Sequence, residues 1–210
     1  MHIHWEINRL DESLEPDPAK AECLNMIEGT IECDGQPAGL IDAFYLYAED
    51  PESSSAFMEL WDLDATTCKV FEEIRVPKRW EFRDPIPDFL GFTPGLLCVN
   101  FIALRPAFRR RGLGRQAMAE VIRNFADDRV DMVMLRAQPL QHLPHGYDHF
   151  DEEVRDLPWN SQEEDTARLV KHFLSWDMHI IPDTHYLLAA PETLCPDRSG
   201  PWYPSLLCDE

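Results

Sequence analysis

One continuous apolar run constrains the fold of this chain more than any other feature. Residues 96–104 are apolar except for Asn100, and Pro106 ends the run. Such a strand is typical of the centre of a sheet that is covered on both faces. In residues 112–126 the apolar side chains then recur at the helical period. The sequence therefore predicts a buried central strand that leads through a loop into an amphipathic helix.

The remaining patterns extend this unit to an α/β domain on a mixed sheet. The first residues alternate between apolar and polar side chains, which predicts a half-buried strand. Strand-like runs at 26–33 and 38–47 flank Asp34 and Gly35, a pair that favours a tight hairpin. Further patterns predict helices at 64–74 and 164–176 and strands at 131–137, 179–181 and 186–190. The order, strands first and then alternating elements, is typical of an α/β domain.

The chain length of 210 residues predicts a single domain with three parts. Residues 1–95 hold the N-terminal strands, one helix and a proline-rich connector, residues 96–190 the core, and residues 191–210 an irregular tail. No apolar run approaches the roughly 20 residues of a membrane span, and the N-terminus has no leader pattern. The six cysteines lack a C-x-x-C pair. They are expected to be buried thiols in the cytoplasm, with the nucleus as the alternative.

The loop between the apolar strand and the helix favours an anion. It reads Arg-Pro-Ala-Phe-Arg-Arg-Arg-Gly-Leu-Gly-Arg over 105–115. Gly112 and Gly114 permit unusual dihedral angles, so that successive N–H groups can converge at the start of a helix. Residues 100–136 hold eight arginines and four acids, whereas the whole chain has a net charge of −20. A cationic segment in so acidic a chain indicates a selected anionic ligand.

Two nucleotide-binding motifs can be compared with this loop. The nucleoside-triphosphate motif G-x-x-x-x-G-K-[ST] does not occur. Gly112, Gly114 and Ala117 match the dinucleotide pattern G-x-G-x-x-A, but seven residues separate the strand from the first glycine. The next strand ends in Arg136 rather than in an acid that could bind a ribose. An NAD(P)-dependent oxidoreductase is therefore a hypothesis that ranks below the two given in the following paragraphs.

The segment from Arg109 to Gly114, between that strand and that helix, resembles the pyrophosphate-binding motif of the GNAT acyl-CoA N-acyltransferases. Residues 167–178 and the two short strands after them resemble the fourth helix and closing hairpin of that family. The resemblance covers about residues 96–190. It implies a mixed, mostly antiparallel sheet that splays at its central strands and is flanked by helices. It also implies transfer of an acetyl group from acetyl-CoA to a primary amine.

The resemblance assigns the cofactor site to the strand end and the loop. Backbone groups of Ile102, Ala103 and Leu104 would hydrogen-bond the pantetheine arm. Backbone N–H groups and guanidinium groups of the loop would hold the pyrophosphate. This set comprises Arg109, Arg110, Arg111, Gly112, Leu113, Gly114 and Arg115. A base, an oxyanion donor and an acid for the leaving thiolate complete the chemistry that the resemblance implies.

Two positions differ from the family pattern. Phe173 stands where many members have a tyrosine acid, and Asn100 and Phe101 stand where many have a carboxylate base. Other side chains could replace the missing acid and base, and the spacing singles out none of them. The candidates are Glu59, Asp62, Asp64, His142 and Tyr147. The second hypothesis is therefore a non-catalytic acyl-CoA-binding module of the same fold.

The net charge and the histidines bear on partners and metals. A pI near 4.6 disfavours nucleic acid and anionic lipid and suits a cationic small-molecule or peptide amine. His142, His145 and His149 lie in a polar insert at 139–163, which Pro144 and Gly146 interrupt. No metal is predicted there, and the insert is a better candidate for a substrate lid. The oligomeric state stays open, a dimer included.

Overall fold

The computed structural model describes residues 1–9, 24–46, 65–76, 83, 95–126, 130–142, 157 and 160–197. Seven strands run through them: β1 (His2–Arg9), β2 (Leu24–Cys33), β3 (Gln36–Leu46), β4 (Gly95–Leu104), β5 (Val130–Arg136), β6 (His179–Ile180) and β7 (Tyr186–Ala189). The helices are α1 (Ala65–Ile74), α2 (Leu113–Phe125), α3 (Gln162–Leu174) and α4 (Pro191–Leu194), with short 3₁₀ turns at Pro106–Phe108 and Leu140–His142.

The strands form one sheet in the order β1-β2-β3-β4-β5-β7-β6. The neighbouring pairs are antiparallel except β4 and β5, which run parallel and are joined by α2. A doubly wound dinucleotide-binding domain needs a mostly parallel sheet, which these strands do not form. The expected fold class, α/β with a mixed, mostly antiparallel sheet flanked by helices, is confirmed.

The β2–β3 hairpin turns where the sequence predicted it. Asp34 and Gly35 have φ angles of 56° and 73°, both in the left-handed region. A two-residue turn with both central residues at positive φ has the twist that antiparallel strands require. The turn fixes the pairing of Cys33 with Gln36, and a bulge at Ala38 then shifts the register by one residue for the rest of β2 and β3.

One face of the sheet packs against α2. The odd-numbered side chains Leu97 and Val99 of β4 and Val133 and Leu135 of β5 belong to the same buried cluster as the helix. The helix contributes the face that its periodicity predicts, namely Leu113, Ala117, Met118, Val121 and Ile122. Burial of these apolar side chains stabilises the β4–α2–β5 unit by about 25 cal/mol per Å² of apolar surface removed from water.

The opposite face holds a second buried set and α1. Alternation along the strands places Phe44, Cys98, Met134 and Tyr186 on this face, and all four are buried. Glu73 of α1 forms an ion pair with Arg136 of β5 at 2.9 Å. The sheet is therefore covered on both faces at its centre, as the apolar run predicts.

Two C-terminal elements differ from the sequence expectation. In α3 the predicted apolar residues Ala167 and Leu174 are exposed, whereas Asp165 and Thr166 are buried. The irregular tail was expected from residue 191, but Pro191–Leu194 form a helical turn with Leu194 in the main cluster. Proline suits the first position of a helix, where its missing N–H costs nothing. None of the described helices has the length and apolar character needed to cross a membrane.

Candidate functional site

The central strands separate halfway along their length. β4 and β5 pair from Gly95 to Val99, where Val99 faces Leu135. Both strands continue, but residues 101–104 pair only with β3, and Arg136 pairs only with Tyr186 of β7. This is the splay at the central strands that the resemblance implies. Among the residues that the structure describes, no strand lies beside this edge of β4.

The hydrogen bonds between β4 and β3 show which backbone groups of β4 face the opposite, open edge. The N–H of Arg105 donates to the carbonyl of Ala38 at 2.9 Å, so it faces β3. Backbone groups alternate in direction along a strand, so those of Ala103 also face β3, and those of Ile102 and Leu104 face the gap. Of the three residues predicted to hydrogen-bond a pantetheine arm, the geometry therefore favours Ile102 and Leu104.

The loop after β4 folds into a cradle of backbone amides. Arg110 and Gly112 both have positive φ angles, of 58° and 77°. Residues in this conformation turn successive N–H groups toward one side, an arrangement that binds anions. A Cβ atom built on Gly112 would meet no atom of the described residues within 4 Å, so they leave open space beside this glycine. A positive φ angle is uncommon at a non-glycine residue, so the backbone conformation of Arg110 must be stabilised by the loop around it.

The start of α2 lacks the features that normally stabilise a helix N-terminus. Gly112 is the N-cap and offers no side chain, the first turn contains no acid, and Arg115 lies within it. In the same chain α3 begins with a complete capping box between Ser161 and Glu164 and three acids in its first turn. A cation at the positive end of a helix dipole is unfavourable, and an anion there is favourable. The start of α2 thus suits an external anion.

The four arginines of the predicted cofactor site divide into two pairs. Arg109 donates from Nε to the carbonyl of Leu104 at 2.9 Å and so braces the loop against the strand. Arg111 lies 3.5 Å from the Asp34 carboxylate at the hairpin, with its guanidinium over the Phe108 ring. Arg110 and Arg115 are exposed and make no ion pair with any residue that the structure describes. These two are the arginines that could reach a bound anion.

Gly114 lies beside the ring of Trp176, a contact that the sequence did not predict. A Cβ atom there would lie 3.7 Å from the ring of Trp176, an ordinary van der Waals distance. Trp176 contacts Phe173 edge to face, with ring centroids 5.1 Å apart, and is buried. Phe173, at the position where the family pattern has an acid, is therefore part of an aromatic wall beside the start of α2.

Asp42 is a site residue that sequence analysis missed. β4 carries one extra residue opposite the step from Asp42 to Ala43, and this bulge residue is Asn100. The Asn100 side-chain amide donates a hydrogen bond to the Asp42 carboxylate. The signal was present, since Asp42 is the one acid in the strand-like run 38–47. What the sequence could not give was the register that brings it to Asn100.

Buried titratable groups surround this pair on the α1 face. Burial raises the pKa of the Cys98 thiol, and the nearby Asp42 carboxylate raises it further. Burial also raises the pKa of Tyr186, whose ring lies 5.5 Å from the Arg136 guanidinium carbon. Both groups therefore stay neutral at physiological pH. Neither can act as a base. The charged groups that affect their pKa values are Asp42, Glu73 and Arg136.

His142 is anchored to the start of α3. Its Nε2 lies 3.0 Å from the buried Asp165 carboxylate, which also accepts hydrogen bonds from Asn160 and Gln141. The other sequence-predicted catalytic candidates lie outside the described residues; they are Glu59, Asp62, Asp64 and Tyr147. Hydrogen bonds to Asp165 thus connect the described part of the 139–163 insert to α3.

This carboxylate predicts a specific acid sensitivity. Hydrogen bonds from Asn160 and His142 lower the pKa of Asp165 to about 2. A lowered pKa contributes stability that is present above the ordinary aspartate value and is lost as the pH falls toward the folded value. We expect Asp165→Asn to lower the stability at neutral pH and to flatten its decline between about pH 4 and pH 2. Denaturant unfolding across this range checks it, and an unchanged acid limb would contradict it.

No group of three or more histidine, cysteine, aspartate or glutamate side chains within the described ranges could hold a metal ion. His145 and His149 lie outside those ranges.

No protein-family model and no curated protein sequence matches this chain. Among solved structures, the crystal structure of a KacT mutant matches with a TM-score of 0.39 and 9% sequence identity, and the match covers 92% of this chain and 98% of that one. A similarity at this level carries no argument, so the interpretation of the site rests on the geometry of the chain itself.

Proposed function

We propose that the chain is an acyl-CoA-dependent N-acyltransferase that moves an acetyl group from acetyl-CoA to a primary amine. The observation that carries this proposal is the continuity of two features. The unpaired edge of β4 leads directly into the amide cradle at the uncapped start of α2. In an acyl-CoA, the amide-bearing pantetheine arm is likewise followed by a pyrophosphate, so the two parts match the strand edge and the cradle in order.

The donor would lie along this path. The N–H and C=O groups of Ile102 and the N–H group of Leu104 would pair with the pantetheine amides as an added strand does. The amides from Arg110 to Gly114 would hold the pyrophosphate, with Arg110 and Arg115 on its oxygens. The acyl end would then reach the point where β4 and β5 separate. There the amine attacks the thioester carbon directly, and the thiolate leaves.

The test separates binding from turnover. Isothermal titration of the purified chain with acetyl-CoA, coenzyme A and NADP measures binding, and thiol release with a panel of primary amines measures transfer. The proposal predicts binding of both coenzyme A species, no comparable binding of NADP, and thiol release that depends on the amine. Preference for NADP over coenzyme A would contradict it.

A non-catalytic acyl-CoA-binding module is the second candidate. Phe173 favours it, because a phenylalanine packed against Trp176 cannot protonate a leaving thiolate. Acetyl-CoA binding with no thiol release on any amine, in an assay where a known acetyltransferase is active, would establish this alternative. Thiolates are good leaving groups, so the absence of a tyrosine does not by itself prevent the reaction.

The cradle predicts different results for two glycines of similar conformation. Gly112 and Gly35 have φ angles of 77° and 73°, and neither would place a Cβ atom within 4 Å of anything. Alanine at either position should therefore cost about 1–2 kcal/mol of stability through its backbone. Only Gly112→Ala should also weaken acetyl-CoA binding, by about tenfold or more, because its methyl group enters the space above the amides. Equal affinities of the two variants would refute the cradle.

A further inference from the structure

We infer that Arg136 binds the acceptor of the proposed reaction, and that this acceptor is a primary amine that carries a carboxylate. The inference rests on the function proposed above and narrows its substrate class to amino acids. Arg136 lies one residue beyond the last β4–β5 pair, which Val99 forms with Leu135. It therefore stands at the apex of the opening, where the acyl end of the donor would lie.

The acceptor would reach this apex from the α1 face of the sheet. On the α2 face, Val99 and Leu135 are buried in one cluster with the helix, which closes that side. On the α1 face, Asn100 and Arg136 keep part of their surface exposed. The donor itself would fill the gap between the strands. An amine that attacks the thioester would therefore pass beside the Arg136 side chain.

Two contacts hold the Arg136 guanidinium on this face. Its Nη2 donates a hydrogen bond to the Glu73 carboxylate at 2.9 Å, and its central carbon lies 5.5 Å from the centroid of the Tyr186 ring. A guanidinium presents several N–H donors in a planar fork. Within the described ranges it makes no other hydrogen bond, and its Nε is buried without a partner. The group is therefore fixed in place with donors that the described residues do not use.

Unused donors at this position favour a ligand oxygen. The side chains of Arg136 and Glu73 are only 21% and 30% exposed, and removing such a pair from water costs desolvation that its own attraction often repays only in part. A buried N–H group without an acceptor lowers the stability further. A carboxylate on the acceptor would supply the missing oxygen atoms, since its two oxygens match the guanidinium fork. A second ammonium group beside the reacting amine would be repelled instead.

An amino acid also fits the charge of the whole chain. The net charge of −20 acts on ligands from a distance and would repel an anion, but an amino acid is a zwitterion without net charge. The amine first loses its extra proton to water. Its nitrogen then bonds to the thioester carbon, the C–S bond breaks, and the proton released by the nitrogen passes through water to the thiolate. The products are an N-acetyl amino acid and free coenzyme A.

The test compares matched amines with and without the carboxylate. Thiol release from saturating acetyl-CoA is measured with glycine, β-alanine and 4-aminobutyrate, which differ in the distance between amine and carboxylate. Methylamine, ethylamine and propylamine are the same chains without it, and the amides of the three acids keep the carbonyl but lose the charge. The best amino acid should exceed its matched alkylamine in kcat/KM by about tenfold or more, the usual effect of one charge-assisted contact.

Arg136→Gln with Glu73→Gln removes both charges together and leaves no uncompensated carboxylate. The preference should then fall to within about twofold, with the loss in the KM for the amino acid rather than in kcat. Both amines are measured on the same protein, so a partly unfolded fraction cancels from their ratio. The matched control is Arg123→Gln with Glu120→Gln, which removes a solvent-facing ion pair of α2 and should keep the preference. Arg136→Lys keeps the charge opposite Glu73, serves if the double variant does not fold, and should lose about threefold or more of the preference.

The outcomes distinguish this inference from the proposed function. Wild-type protein that uses the alkylamines as well as the amino acids would overturn the choice of acceptor and leave the transferase intact. Equal rates with the amino acids and their amides would overturn the carboxylate, and a preference that survives in the Arg136 variants would overturn the role of this residue. Acetyl-CoA binding without thiol release on any amine, hydroxylamine included, would overturn the transfer reaction and this inference with it.

Discussion

Reversing the charges of Arg110 and Arg115 together is expected to weaken acetyl-CoA binding by about 100-fold or more. Both guanidinium groups are exposed beside the amide cradle, and neither forms an ion pair within the described parts of the chain. Charge-assisted hydrogen bonds contribute about 1.5–3 kcal/mol each, and every 1.4 kcal/mol is tenfold in affinity. Stability should change little, because both side chains are exposed and form no ion pair with a described residue. Titration calorimetry of Arg110→Glu with Arg115→Glu measures the effect.

The matched control reverses two lysines elsewhere. Lys69 of α1 and Lys171 of α3 are exposed, so Lys69→Glu with Lys171→Glu changes the net charge by the same amount. If binding depended only on overall charge, both double variants would lose affinity for acetyl-CoA equally. That result would contradict the assignment of Arg110 and Arg115 to the pyrophosphate. The wild-type affinity should also fall as salt rises, since exposed charges are screened.

Gly39→Ala is expected to cost about 3 kcal/mol of stability or more, the upper range for overpacking. A Cβ atom at Gly39 would overlap the carbonyl oxygen of Ala103 and lie 3.0 Å from the Cα of Leu104. Both are backbone atoms of β4, which cannot rotate away as a side chain does. The strand would have to shift at the very residues that border the opening. Thermal or denaturant unfolding measures the loss of stability.

Gly114→Ala provides the comparison for this prediction. Its Cβ atom would meet only side-chain atoms, the nearest at 3.7 Å, and the residue lies in the first turn of α2. Alanine is the better helix former, so this variant should be neutral or more stable by up to about 1 kcal/mol. A Gly39→Ala protein as stable as Gly114→Ala would show that β3 and β4 are not packed this closely.

The sequence predicted the parts of the structure that depend on neighbouring residues. The apolar run, the glycine-containing loop and the amphipathic helix follow one another along the chain, so pattern and propensity identify β4, the cradle and α2 directly. The hairpin at Asp34 and Gly35 was predicted for the same reason, because two residues determine its turn type. The mixed sheet followed from the order of these local elements.

What the sequence could not predict depends on register between distant segments. Asp42 and Asn100 are 58 residues apart and meet only because of the β4 bulge. Arg111 looks equivalent to Arg110 in the sequence, but in the structure it forms an ion pair with the hairpin carboxylate of Asp34. The buried Asp165 broke the apolar pattern expected of α3, because its hydrogen bonds to the preceding insert outweigh the cost of burial.

Hydrogen exchange of the backbone amides, with and without acetyl-CoA, tests the central claim most directly. The claim is that the β4 edge and the cradle hold the donor along one path. The predicted result is protection of the amides of Ile102 and Leu104 together with those of residues 110–114, and no change in the Asp34–Gly35 hairpin amides. Saturating acetyl-CoA that leaves these amides unprotected would contradict the account.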